Sequence, residues 1–328
     1  MKIIIFGAAG FMGSHLLDYL SKDHDVIGVD NYSIGRYKHD KIIKADCLEK
    51  EAMDRIIGEF KPEIIYFLTA WAHEGLSQFQ PILITENNYN AYLNVLVPAI
   101  KHKVKRIVLT SSMSVYGAQK PPFDEDMARK PEDIYAISKT AMEEATEIMS
   151  KVYGFEYNII RPHNVYGPRQ ALHDPYRNVV AIFINKMLQG KSFYIYGDGE
   201  QKRSFSYIDD VTPALANAGL YSVHGEIINI GPTEEYTINR LAGSVRANFE
   251  NAPLPIHIED RPQEVKEAWC TNDKAKRLLG YETKTTFIEG IHKMCEWAKT
   301  IGYQVPVYLN ELELTNENTP ITWREHLI

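Results

Sequence analysis

The sequence predicts a doubly wound α/β fold, a parallel sheet covered by helices on both faces, with a smaller interleaved C-terminal domain for a second ligand. Three observations predict it. Short β-branched apolar runs alternate with longer amphipathic stretches through the first half of the chain. The first run, Ile3-Ile4-Ile5-Phe6, opens straight into a glycine-rich turn. After Arg161-Pro162 the alternation loosens, and Gly and Pro become more frequent.

Taken in order, the apolar runs place strands at 2–6, 25–29, 41–45, 64–68, 106–110 and 157–160. The amphipathic stretches between them place helices near 11–21, 49–59, 86–102 and 135–152. Turns follow at Gly167-Pro168, Gly197-Asp198-Gly199, Gly231-Pro232 and Arg261-Pro262, with shorter helices at 176–189, 210–221, 238–249 and 287–298. The expected division is 1–165, joined later by segments around 205–230, and 166–328, with no clean linker. The tail, 303–328, is acidic and irregular and yields no functional reading.

Composition narrows the class. At 328 residues the chain exceeds the size at which single cores stop growing. Hydrophobic residues at 45% and charged residues at 24% are those of a globular protein. A formal net charge of −7 gives no electrostatic case for nucleic acid or an anionic membrane. Cys47, Cys270 and Cys295 lie far apart without CxxC spacing, which argues for free thiols and against disulfides or structural zinc. Scattered histidines without HxH or HxxxH spacing predict no metal site. No apolar run is long enough to span a bilayer, and the expectation is a cytoplasmic enzyme.

Gly7-Ala8-Ala9-Gly10-Phe11-Met12-Gly13 follows a strand and opens a helix. Gly7 permits the turn, Gly10 lets backbone approach a pyrophosphate, Gly13 packs helix on strand, and the helix N-terminus meets the phosphates. Asp30 closes the next strand, where a carboxylate accepts both ribose hydroxyls and repels a 2′-phosphate. The pattern is Rossmann-type, and it favours NAD over NADP despite Arg36 nearby. Asp46 is expected either near the adenine amino group or as a helix N-cap.

Tyr135 and Lys139 stand at i and i+4 on one helix face. An ammonium there stabilises a phenolate and lowers the Tyr pKa, as a general base near neutral pH requires. Ser111 to Gly117 follows the strand 106–110, so one of its hydroxyls falls at the ligand crevice beside that pair.

These motifs resemble the extended short-chain dehydrogenase/reductases, in the branch of NAD-dependent sugar-nucleotide epimerases and dehydratases. The resemblance is carried by Gly7 to Gly13, Asp30-Asn31, Ser111 to Gly117, Tyr135 to Lys139, Arg161-Pro162-His163-Asn164-Val165-Tyr166-Gly167-Pro168-Arg169, Gly197 to Arg203, and Arg261-Pro262-Gln263-Glu264-Val265. It implies that Ser112, Tyr135 and Lys139 are catalytic. It implies cofactor contacts at Gly7, Gly10, Phe11, Met12, Gly13, Asp30, Asn31, Ser33, Asp46, Cys47, Leu68, Ala70 and Asn87, besides Tyr135 and Lys139. Asn164, Arg203 and Arg261 match residues that hold a nucleotide diphosphate, a role suited to guanidinium forks. Glu264 matches a ribose-binding acid, and Ser112 is placed at the sugar; His73 and Glu74, after the fourth strand, either contact sugar hydroxyls or face solvent at the crevice rim.

Departures from the family pattern narrow the chemistry. Its dehydratases carry Asp-Glu after the catalytic hydroxyl; here Met113 and Ser114 cannot transfer those protons. Ser114 also stands near where GDP-mannose 3,5-epimerases place a catalytic Cys. Ser204 replaces the more usual Asp after Arg203. The leading expectation is an NAD-dependent epimerase acting at C4 of a nucleotide-diphosphate sugar through a 4-keto intermediate. The alternatives are a C4 oxidase or 4,6-dehydratase on the same site and, in another class, an NAD(H)-binding regulatory protein. Helices 86–102 and 135–152 imply, by resemblance, a homodimer or higher homo-oligomer.

Overall fold

The computed structural model describes residues 1–260 and 265–328. The chain runs β1 (Lys2–Phe6), α1 (Phe11–Leu20), β2 (Asp25–Asp30), β3 (Ile42–Lys44), α2 (Lys50–Phe60), β4 (Ile64–Phe67), α3 (Glu74–Ser77), α4 (Pro81–Thr85), a π-turn (Glu86–Asn90) and α5 (Ala91–Lys101). Then come β5 (Arg106–Thr110), a 3₁₀ turn (Met113–Tyr116), α6 (Ile134–Tyr153), β6 (Glu156–Pro162), β7 (Val165–Tyr166), α7 (Val179–Leu188), β8 (Tyr194–Tyr196), β9 (Lys202–Arg203) and β10 (Ser206–Tyr207). The last part holds α8 (Ile208–Leu220), β11 (Glu226–Ile230), β12 (Tyr236–Thr237), α9 (Ile238–Arg246), β13 (Ile256–Ile258), β14 (Glu267–Ala268), α10 (Asp273–Leu279), α11 (Phe287–Ile301) and α12 (Ile321–Arg324).

Seven strands form one sheet in the order β11-β6-β5-β4-β1-β2-β3, with every pair parallel. The strand order reverses between β1 and β4, and a crevice opens there at the carboxyl ends. Period-two alternation explains how one run feeds two layers. Ile3 and Ile5 join the core that includes α1 and α8, whereas Ile4 and Phe6 join the core beneath α2 and α5. The first of these cores continues into α7, α9 and α11, so the two halves of the chain share buried apolar surface. Small sheets β10-β7, β12-β9-β14 and β13-β8 shape the second half.

Two helices depart from their expected bounds for local reasons. The stretch expected at 86–102 begins at Pro81, a residue suited to the first helical turn, and passes through the π-turn before α5. The stretch expected at 176–189 starts only at α7, where the Asn178 side chain accepts from the Val180 amide at 3.1 Å. Residues 169–178 are therefore loop, and they reach the crevice. Among the described residues, no helix is long and apolar enough to cross a membrane.

Candidate active site

A single cleft of about 1050 Å³ runs from the glycine turn to the second half of the chain. It is lined by every described residue that the sequence singles out for cofactor, catalysis or substrate. Arg261 and Glu264 lie outside the described residues.

At the cofactor end, Gly7 takes φ +82°, and a Cβ there would stand 2.8 Å from the Thr69 nitrogen. A Cβ on Gly13 would stand 2.0 Å from the Gly7 carbonyl oxygen, so helix and turn touch through backbone alone. Gly10 caps α1 without any side chain, which leaves the first-turn amides to an anion. Phe11 and Met12 follow in that turn, and their side chains line the cleft.

The Asp30 carboxylate accepts from the Ala9 amide at 2.9 Å and from the Tyr32 amide at 2.7 Å. Burial raises its pKa, and those two amides oppose the rise. The loop after it, with Asn31 and Ser33, folds back on the glycine turn through Tyr37 N to Ala9 O at 3.1 Å. Asp46 accepts from Asn31 Nδ2 and the Leu48 amide; it holds the turn before α2 and does not cap that helix. Cys47 is a buried thiol 3.7 Å from Thr69 Oγ1, its pKa pushed up to about 12 by burial. Leu68 and Ala70 lie beyond β4, and Asn87 on the π-turn donates to Leu83 O at 2.9 Å. A turn that side chains would fill, open helix amides and a carboxylate at the end of β2 fit an adenine dinucleotide.

The three residues expected to be catalytic gather where β5 meets α6. Tyr135 and Lys139 are both buried on α6, with the Lys139 nitrogen 5.8 Å from the Tyr135 ring centre and donating to Thr110 O at 2.8 Å. Ser112 accepts from the Ser114 amide at 3.2 Å, and its hydroxyl favours ionisation of the Tyr135 phenol. The electrostatics correct one expectation. Burial is the largest influence on Tyr135 and raises its pKa; Arg177 and Ser112 oppose the rise, while Glu74 and Asp133 add to it. The Lys139 pKa falls to about 7 through burial, with Arg177 adding to the fall. Behind this group, Glu143 of α6 binds Arg161 of β6 through two contacts, 2.9 and 2.6 Å, and Arg129 at 2.6 Å. That buried cluster fixes the catalytic helix against the strand ends.

At the end expected to take substrate, Asn164 Nδ2 donates to Ser204 O at 2.9 Å, with Met113 Sδ at 3.7 Å. Arg203 of β9 donates to Lys202 O at 2.8 Å and to Val265 O. His73 is 3% exposed and binds the Asp174 carboxylate through Nε2 at 2.7 Å. It is a braced wall residue, not a rim residue facing solvent. His163 is buried, and burial pushes its pKa down to about 3, which keeps it neutral.

Sequence reasoning missed several residues of the site. Asn88 is buried; its Oδ1 accepts from the Trp71 amide at 2.8 Å, and its Nδ2 donates to Trp71 O and Ser138 Oγ. It pins the end of β4 to the catalytic helix. Its signal is an amide side chain next to Asn87, with nothing local to mark it. Asp133, Arg177 and Trp323, unlike Asn88, line the cleft itself.

Comparison with known proteins agrees with this geometry. Residues 3–231 match the model of the NAD dependent epimerase/dehydratase family. The UDP-glucose 4-epimerase of Mycolicibacterium smegmatis is 34% identical over 313 residues, covering 90% of this chain and 98% of that protein. The UDP-N-acetyl-alpha-D-glucosaminuronate decarboxylase of Bacillus cytotoxicus is 31% identical over 320 residues, covering 92% and 98%. The crystal structure of the Thermotoga maritima UDP-glucose 4-epimerase with UDP-glucose superposes with a TM-score of 0.87 at 32% identity, covering 92% of this chain and 99% of that one.

Proposed function

Because the chain belongs to the NAD-dependent epimerase/dehydratase family, we propose that it inverts C4 of a UDP-linked hexose, with bound NAD as its cofactor. The observation that carries this reading is the single cleft in which Ser112, Tyr135 and Lys139 sit between the glycine turn and the Asn164–Arg203 end. NAD, when bound, supplies the redox partner for C4 and a positive ring charge beside the phenol. Tyr135 takes the proton of the C4 hydroxyl as general base and returns it after the sugar has turned. Ser112 donates to the C4 oxygen and steadies the carbonyl. Lys139, held by Thr110 O, orients the cofactor ribose. Asn164, Arg203 and Arg261 hold the diphosphate and Glu264 the nucleoside ribose, so that the keto sugar swings without leaving. Met113 and Ser114, placed where the family's dehydratases carry Asp-Glu, offer no groups for proton transfer at C5 and C6.

In this reading residues 1–165, with the later segment around 205–230, hold the cofactor, and 166–328 mainly hold the nucleotide sugar, in a cytoplasmic enzyme. The protein is a homodimer through α5 and α6. Val97 on α5, flanked by the half-buried Leu93 and Ile100, and Ile137, Ile148 and Val152 on α6 leave apolar side chains in solvent, with Ile148 60% exposed.

The test is incubation with UDP-, GDP-, dTDP- and CDP-hexoses, resolved by anion-exchange chromatography, with Tyr135→Phe as control. Interconversion of C4 epimers of a UDP-hexose is expected, with kcat about 10²–10⁴-fold lower in the variant. Net release of a 4-keto product with the cofactor left reduced would sink the epimerase reading.

A further inference from the structure

Residues 303–328 span the cleft and bind both of its banks. On the bank of α4, the Glu313 carboxylate accepts from the Ile82 and Leu83 amides, each at 2.8 Å. Beside it, Gln80 Nε2 donates to Glu311 O at 2.8 Å, and the Leu314 amide to Phe79 O at 3.1 Å. On the opposite bank, the Val307 amide donates to His173 O at 2.8 Å and the Leu309 amide to the Tyr176 hydroxyl at 3.0 Å. Tyr196 of β8 and Thr322 join their hydroxyls at 2.6 Å.

Directly after the last of these anchors the segment delivers one large side chain to the cleft. Trp323 is 5% exposed and packs edge-on against Phe79 at 6.0 Å and Tyr176 at 5.3 Å. Tyr176 in turn packs edge-on against His73 at 6.2 Å. All four side chains line the cleft that Tyr135 lines.

We propose that the C-terminal segment is a specificity strap: it closes the sugar end of the nucleotide-sugar cleft and, through Trp323, sets the size of the sugar admitted. The proposal rests on reading the cleft as a nucleotide-sugar site. A strap tied to both banks holds them at a fixed separation, and an indole behind His73 and Tyr176 keeps that wall from yielding. A sugar must fit this wall, whereas the uridine diphosphate, held from the Arg203 side, does not depend on it.

The test is calorimetric titration of the NAD-loaded full chain with UDP and with UDP-glucose, repeated on Trp323→Ala and Glu313→Gln. Both variants are expected to weaken UDP-glucose at least fivefold and UDP less than twofold. Trp323→Ala is also expected to raise the affinity for the bulkier UDP-N-acetylglucosamine relative to UDP-glucose. Glu313→Gln keeps the wall intact and serves if the tryptophan variant does not fold. Unchanged affinities, or equal losses for UDP and UDP-glucose, overturn the strap while leaving the nucleotide-sugar reading in place. A full chain that binds neither ligand overturns both.

Discussion

The Asp133 carboxylate accepts from the Ala136 amide at 2.7 Å and so caps the helix that carries Tyr135 and Lys139. Burial and the nearby charge of Glu74 raise its pKa to about 7. Its negative charge raises the pKa of Tyr135 in turn. Asn caps a helix as well as Asp does but carries no charge. Asp133→Asn should therefore lower the Tyr135 pKa and move the acidic limb of the kcat/KM profile to lower pH. A pH–rate series on wild type and variant checks this, and coincident profiles would refute it. Stability carries the same sign. The folded form holds the Asp133 proton more tightly than the unfolded chain does, so this group's stabilisation is lost as pH rises from about 4 to about 7. Lys139 does the reverse, because its folded pKa of about 7 lies below the ordinary value, and its penalty fades as pH rises above 7. Melting temperatures of Asp133→Asn should fall less than those of wild type between pH 5 and pH 8. The i, i+4 spacing makes Tyr135 and Lys139 legible in the sequence. Asp133 is not legible, because its pKa comes from burial and from Glu74 on a distant element.

At the scale of elements, the glycine turn illustrates how local chemistry writes itself into sequence. Gly7 and Gly13 are required by backbone contacts within a few residues, and such spacing can be read directly. Gly13→Ala should cost about 1–3 kcal/mol, as overpacked sites do, and should also expel the cofactor. Melting temperature with and without added NAD would show it; a variant that gains the full stabilisation by NAD would contradict it. The helix expected at 86–102 was legible in kind but not in its start. Its first amides are satisfied by Glu313, more than two hundred residues away, and no local pattern reports such a partner. Asn88 hid for the same reason, since its bonds reach Trp71 and Ser138.

At the scale of the molecule, the exposed apolar side chains on α5 and α6 predict the assembly. Ile148→Asp should convert a dimer into a monomer in sedimentation, with cofactor content unchanged; a dimer that persists would place the interface elsewhere. The parallel sheet was legible because its strands are short, apolar and regularly spaced. The course of the second half was less so, since its small sheets join two- and three-residue strands from distant segments.

The seventh strand, β11, enters the sheet only after the chain has built β7 to β10. The large parallel sheet is thus completed by residues that follow four of the short strands. Neither half can be excised, swapped or expressed as a cassette, because each cut would remove an edge strand from the other's sheet or open their common core. Changes of substrate in such a protein must come by editing loops and adding terminal segments, not by exchanging modules.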